Sequence, residues 1–156
     1  LKAITIKQPW ATLIALGEKR FETRSWQTKY RGEIAIHAGK TVDKDALNEV
    51  AIMAALSKHG INSHKELPTG AVIATVELVD CHKITADYMS LYDEEKAGTD
   101  KGLLIEGDEW WFGDYTEGRY GWELTNLHVL PEPIPAKGQL SLWEWRHGNR
   151  DLLSKS

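Results

Sequence analysis

Alternation of short apolar and polar positions opens the chain: KAITIK, from Lys2 to Lys7, carries the β-branched Ile4, Thr5 and Ile6 and predicts a strand. Gln8-Pro9 ends it. Trp10, Leu13, Ile14 and Leu16 then recur at near-helical spacing until Gly17, which predicts a short helix with Pro9 at its start. KRFETRSW returns to alternation and, as a regular strand, puts Lys19, Phe21 and Thr23 on one face and Arg20, Glu22 and Arg24 on the other. GEIAIHAGK reads as the next strand, with Ile34 and Ile36 on one side. From Asp43 to His59 the stripe Ala46, Leu47, Val50, Ala54 and Ala55 predicts a packing helix stopped by Gly60.

The second half follows the same logic. GAVIATVELVDC is apolar almost throughout, as a central strand is. Thr85 to Gly118 is acidic and punctuated by glycine, and predicts a short helix followed by a long loop carrying Trp110 and Trp111. RYGWELTNLHVL is a further strand, PEPIPAKGQ a connector whose prolines keep it out of a sheet interior, and LSLWEW a closing strand with Leu140, Leu142 and Trp143 partly buried. The expectation is one α+β domain over residues 1–146, shaped as a small β-barrel-like sheet with inserted helices, and a mobile tail over 147–156. Internal repeats, βαβ alternation and glycine-rich phosphate loops are not found in the sequence.

Composition narrows the class. A chain of 156 residues, 42% hydrophobic and 27% charged, supports one core and excludes a disordered or fibrous protein. No apolar run approaches the roughly 20 residues of a membrane span, and the first residues carry no export pattern. Cys81 stands alone, which rules out an internal disulfide framework and points to a reducing compartment, so a cytoplasmic location is expected. Six histidines show no HExxH and no His/Cys ligand spacing; neither a metal site nor a cofactor is expected. Cys81 ends an apolar strand, and no serine lies in a nucleophile elbow.

Charge changes the picture through its placement. The net charge is -4, yet Leu1 to Lys44 holds nine Lys/Arg against four Asp/Glu, whereas Asp93 to Glu117 holds nine Asp/Glu against two Lys. Screening confines each charge to about 10 Å, so a local basic face can hold phosphates on an acidic protein. Lys19, Glu22 and Arg24 follow a helix-ending glycine where the chain enters a strand. A lysine there supplies a cation or, once desolvated, a base; a glutamate orients it or trades protons with it; an arginine grips phosphate or pins the glutamate. The same residues also fit an exposed strand of paired charges. Trp10 and Trp26 flank the cluster and Trp122 is placed to reach it from a later strand, which suits base stacking beside a held phosphate as well as it suits ordinary core. His37 and Lys40 are placed to reach the same cleft, with a satisfied structural histidine as the alternative. Trp110-Trp111 read as a lid or a surface for a protein partner.

The pattern Gly17-x-Lys19-x-x-Glu22-x-Arg24, preceded by Gln8-Pro9-Trp10-Ala11 and followed by Ser25-Trp26 and Arg31-Gly32, resembles the ASCH domain, a member of the PUA-like superfamily of RNA-associated barrels, and most of all the ASCH domains of transcription coactivators. The resemblance implies a PUA-like mixed β pseudo-barrel with a few flanking helices, and a basic cleft lined by Lys19, Glu22 and Arg24 that binds RNA, single-stranded nucleic acid, or a nucleotide or nucleoside. It draws Gln8, Ser25 and Arg31 into that surface beside Trp10, Trp26, His37 and Lys40. One bacterial branch of the family hydrolyses N4-acetylcytidine with the motif lysine, a threonine three residues later and a more distant glutamate. Lys19 matches that lysine, Glu22 stands where the threonine would, and Glu77, Glu94 and Glu95 are candidates for the glutamate. A ribonuclease with Lys19 and Glu22 as an acid-base pair and Arg24 on the phosphate is the other enzymatic expectation.

Overall fold

The computed structural model describes residues 1–147. The expected tail, apart from His147, lies outside them. The fold is α+β: a mixed sheet with a few short helices. Its strands are β1 (Lys2–Gln8), β2 (Phe21–Arg24), β3 (Gly32–Val42), β4 (Ala71–Asp87), β5 (Ala97–Thr99), β6 (Leu104–Ile105), β7 (Tyr120–Pro135) and β8 (Leu142–Glu144). The helices are α1 (Trp10–Ala15), α2 (Val50–Lys58), α3 (Tyr88–Tyr92) and α4 (Asp108–Trp111). The hydrogen-bonded order is β2-β7-β4-β3-β1-β8, with β5 beside β4 and β6 beside β5. The barrel expectation is corrected here: among the described residues the strand order is an open path, and its two end strands, of four and three residues, pair on one side only. No helix among the described residues is long and apolar enough to cross a membrane.

The chain divides into two compact units. The first comprises Leu1–Glu18, Glu33–Glu77 and the described residues from Asn126 onward; the second comprises Lys19–Gly32 and Leu78–Thr125. In the first unit β1 runs parallel to β3, with Lys2 opposite Ile34 and Ile6 opposite Ala38, and antiparallel to β8, with Ala3 opposite Trp143. Ala3, Ala35, Val72, Leu130, Trp143 and Trp145 form its core cluster. Gly17 takes φ 77°, the left-handed turn that stops the first helix as its sequence position predicts. In the second unit β2 runs antiparallel to β7 and β5 antiparallel to β4, around a core of Phe21, Ile84, Ala97, Ile105 and Tyr115.

Four parts of the chain depart from the sequence reading. The helix expected over Asp43 to His59 is a 3-10 turn at Ala46–Asn48 followed by α2, because Glu49 between them is extended at φ -68°, ψ 125°. The interruption restarts the helical phase, so Ile52, Ala55 and Leu56 are buried while Ala54 faces out and Val50 is 73% exposed. The prolines of PEPIPAKGQ do not exclude the sheet, since β7 continues through Pro131, Pro133 and Pro135. β2 has ended by then and all three are exposed. At alternate positions their missing N–H groups lie along one side of the strand, while the even-numbered Ala136 N–H donates to Gly70 O at 3.0 Å. The acidic loop is more ordered than expected: after α3 it forms β5, β6 and α4. Leu140, expected to be partly buried, lies outside β8 and is 92% exposed.

Candidate functional site

The signature lysine is built into the interior. Lys19 precedes β2, is 2% exposed, and its ammonium donates to the Phe112 carbonyl at 2.5 Å. Burial pushes its pKa below the ordinary lysine value against the pull of Glu22 and Glu109, while the positive charge of Arg24 adds to the lowering. Glu109 sits at the start of α4, and its Oε1 accepts the Arg20 backbone N–H at 2.9 Å; its Oε2 is buried without a partner. Burial raises the Glu109 pKa, with Lys19 and the Arg20 and Phe21 N–H groups opposing. Tyr115 is buried with its hydroxyl unpartnered, and its pKa stands well above the usual phenol value through burial, with Glu109 and Glu22 adding to it.

These contacts fasten Glu109–Asp114 onto the signature segment. Thr23 Oγ1 accepts the Asp114 N–H at 3.2 Å, and Gly113 packs so closely that a Cβ there would lie 2.9 Å from both Thr23 and Tyr115 side chains. Trp110 and Trp111, edge to face at 5.0 Å, are each half-buried within the fastened segment.

Glu22 and Arg24 share a face of β2, where their ladder partners are Trp122 and Tyr120. Glu22 is 7% exposed. Its Oε2 accepts from Arg24 Nε at 3.0 Å and lies 2.8 Å from Nη2, a charge-assisted pair that satisfies one carboxylate oxygen twice. Trp26 is half-buried and meets Trp122 edge to face with centroids 4.8 Å apart; the Trp122 indole N–H is buried and unpartnered. Ser25 is exposed beside them. Arg31, also exposed, donates to the Thr28 and Tyr30 carbonyls at 3.0 and 2.8 Å, with Asp80 3.5 Å away. Counted over the second unit, nine Lys/Arg stand against thirteen Asp/Glu, so the cations of the signature segment lie in an acidic unit.

Gln8, Trp10, His37 and Lys40 belong to the first unit. Gln8 is fully buried and engaged at both ends of its amide, accepting from Thr12 N–H at 2.9 Å and donating to Pro68 O at 2.7 Å, which anchors the first turn of α1. Trp10 is half-buried on α1. His37 Nε2 lies 2.7 Å from Ala136 O, and a carbonyl only accepts, so that nitrogen carries the proton. Nδ1 then accepts from the Thr5 hydroxyl at 3.1 Å, and Thr5 Oγ1 in turn accepts the Trp143 indole N–H at 3.1 Å. Both ring nitrogens are thereby used. His37 and Lys40 do line one shallow depression of about 360 Å³ with Gly70, Lys137 and Leu140.

Sequence reading missed Glu109 and Tyr115, the groups that share Lys19's surroundings. Glu94 and Glu95 are exposed, and Glu77 lies in the first unit. The available signal was the carboxylate directly before two tryptophans, in the segment read as a long loop.

The ASCH domain family model matches residues 4–133, drawing on both units. Activating signal cointegrator 1 of Homo sapiens is 35% identical over 82 residues, which is 50% of this chain and 14% of that protein. The Mus musculus protein of the same name is 35% identical over 80 residues, again 50% of this chain and 14% of the relative. The matched stretch is thus a small part of those proteins. The crystal structure of ASCH from Zymomonas mobilis superposes with a TM-score of 0.54 at 16% identity, covering 99% of this chain and 93% of that one. A tyrosine-to-phenylalanine mutant of that bacterial protein gives 0.54 at 15% identity, covering 99% and 96%. The chain belongs to the ASCH domain family.

Proposed function

We propose that this chain binds nucleic acid or a nucleotide, with single-stranded RNA as the favoured class, through the surface formed by Glu22, Arg24, Ser25 and Trp26. Membership of a family whose PUA-like fold is generally associated with RNA binding supports the class of ligand. The observation that carries the reading is the pairing of a nearly buried, arginine-held carboxylate with the half-buried Trp26 ring braced on Trp122. A carboxylate held in this way accepts hydrogen bonds from the N–H groups of a base edge, and an indole stacks on a base at about 1–3 kcal/mol.

This arrangement favours base recognition over phosphate tracking. Lys19's ammonium is engaged by Phe112 O and Arg24 is paired with Glu22, so few signature cations are left to neutralise phosphates. Affinity for a labelled single-stranded RNA should therefore fall only gently between low and moderate salt. Trp26→Ala should weaken it by about five-fold to a hundred-fold, from the value of one stacked base, with the circular dichroism spectrum unchanged. Unaltered affinity in both Trp26→Ala and Glu22→Gln would sink the assignment.

One observation favours a second, enzymatic reading. An amine depressed by burial beside two carboxylates is the state a general base requires, which suits an amidohydrolase or ribonuclease using Lys19 with Glu22. Reaching Lys19 requires a substrate to displace the Phe112 carbonyl. Incubation with N4-acetylcytidine and with a short RNA, followed by mass spectrometry, decides it: product from the wild type and none from Lys19→Ala establishes turnover. Intact substrate with both leaves a binding module, in which Trp110 and Trp111 remain the candidate surface for a protein partner.

A further inference from the structure

We infer that Asp80, His82 and Glu123 form a binding site for a zinc-like divalent transition-metal ion in the second unit. Asp80 and His82 are two residues apart on β4 and project to the same face. Glu123 comes from β7, the neighbouring strand, in register with Phe21. One donor atom from each residue lies within 4.8 Å of the others: His82 Nε2 is 2.8 Å from Glu123 Oε1 and 3.8 Å from Asp80 Oδ2. An ion about 2.0–2.2 Å from each donor fits with a small adjustment, and Glu123, whose side chain is 38% exposed, is the member free to make it. The set is one imidazole and two carboxylates on adjacent strands, which leaves a coordination position for water. A 95% buried imidazole as the central ligand favours a borderline metal over magnesium or calcium.

The surroundings prepare Asp80 as a ligand. Its Oδ1 takes the Lys101 ammonium, the Cys81 N–H at 2.9 Å and the Arg31 guanidinium at 3.5 Å, whereas Oδ2 faces His82. The cations are therefore bound to the oxygen that the ion does not need, and they hold the carboxylate in orientation. His82 Nδ1 is buried without a partner. It is unpaired whichever nitrogen bears the ring proton, so moving that proton to Nδ1 and giving Nε2 to a metal forfeits no hydrogen bond at Nδ1. The hydrogen bond from Nε2 to Glu123 is exchanged for two metal bonds.

The whole chain, stripped of metal with chelator and dialysed, would be titrated with zinc chloride in a calorimeter and loaded with Co²⁺ for visible absorption. The expected result is one equivalent bound at micromolar or tighter affinity, a rise in melting temperature on loading, and Co²⁺ bands of a low-symmetry nitrogen-oxygen site. Glu123→Gln, at a partly exposed position, should keep the fold, weaken Zn²⁺ about tenfold or more and abolish the Co²⁺ bands; His82→Gln should do the same if it folds. Absence of saturable Zn²⁺ binding by the wild type would overturn the inference. So would Glu123→Gln binding as tightly as wild type, which would place the ion elsewhere, such as at His59 with Glu18.

Discussion

Replacing Lys19 by methionine keeps the stem and deletes the ammonium. Phe112 O then loses its donor, and two carboxylates lose the attraction of a buried positive charge. They are not equally harmed. Glu22 retains Arg24 at 2.8 Å, whereas Glu109 keeps only backbone donors and its Oε2 has no partner. The loss is thus one charge-assisted hydrogen bond to a buried carbonyl, with a compensating positive charge removed from the neighbourhood of Glu109, about 1.5–3 kcal/mol. With a urea slope of about 2 kcal/mol/M, the unfolding midpoint should fall by about 1 M. Lys19→Met with Glu109→Gln removes both charges and leaves an amide oxygen for the Arg20 N–H, so the double variant should be more stable than Lys19→Met alone. The penalty of Lys19→Met should also shrink in acid. A carboxyl whose folded pKa is raised costs nothing below its unfolded value near 4.5 and its full penalty above the folded one. Equilibrium denaturation of the four proteins at mildly acidic and mildly alkaline pH measures all of this. A Lys19→Met variant within about 0.5 kcal/mol of wild type, the range of ordinary surface changes, would refute the reasoning, as would a double variant whose loss is the sum of the singles.

Other outcomes follow from the same geometry. The wild type should gain stability as pH rises from the depressed pKa of Lys19 toward 10.5, because the unfolded lysine there binds more protons than the folded one; above pH 10 the raised pKa of Tyr115 reverses the slope, and denaturant midpoints across this range show the turn. Gly113→Ala should destabilise by about 1–3 kcal/mol, since its Cβ would stand 2.9 Å from Thr23 and Tyr115, and it should loosen Glu109–Asp114 as read by hydrogen exchange at the Asp114 amide. Gly138→Ala should cost a similar amount, about 1–3 kcal/mol, because its Cβ would approach His37 and Thr5 at 2.8 Å; nitrogen chemical shifts of the His37 ring should report the lost Thr5 partner.

What the sequence disclosed depended on how local the cause was. β1, α1 with its Gly17 stop, and β4 carry their own periodicity and boundary residues, and each was legible. The interruption at Glu49 was not, because nothing in that residue forbids a helix; the extended backbone there restarts the phase and changes which alanines face inward. The prolines of β7 misled because proline is penalised for an N–H it lacks, and the penalty vanishes where no strand lies alongside to receive it. At the candidate site, Lys19, Glu22 and Arg24 were visible through spacing, but the partners that set their state, Phe112 O and Glu109, lie about ninety residues away in sequence. Asp80 and His82 illustrate the same limit: their spacing on a strand is readable, whereas Glu123 joins them only through the register of a different strand.

The pairing of β1 with β8 has a consequence for how the molecule is made. Ala3 faces Trp143, so β1 finds one of its two sheet neighbours only after more than 130 further residues have been translated. During synthesis at about 5–20 residues per second, one flank of β1 stays unpaired until Leu142–Glu144 has cleared the ribosome. A nascent chain arrested before Trp143 would present that bare strand, rich in isoleucine, to chaperones and to its neighbours on the same polysome.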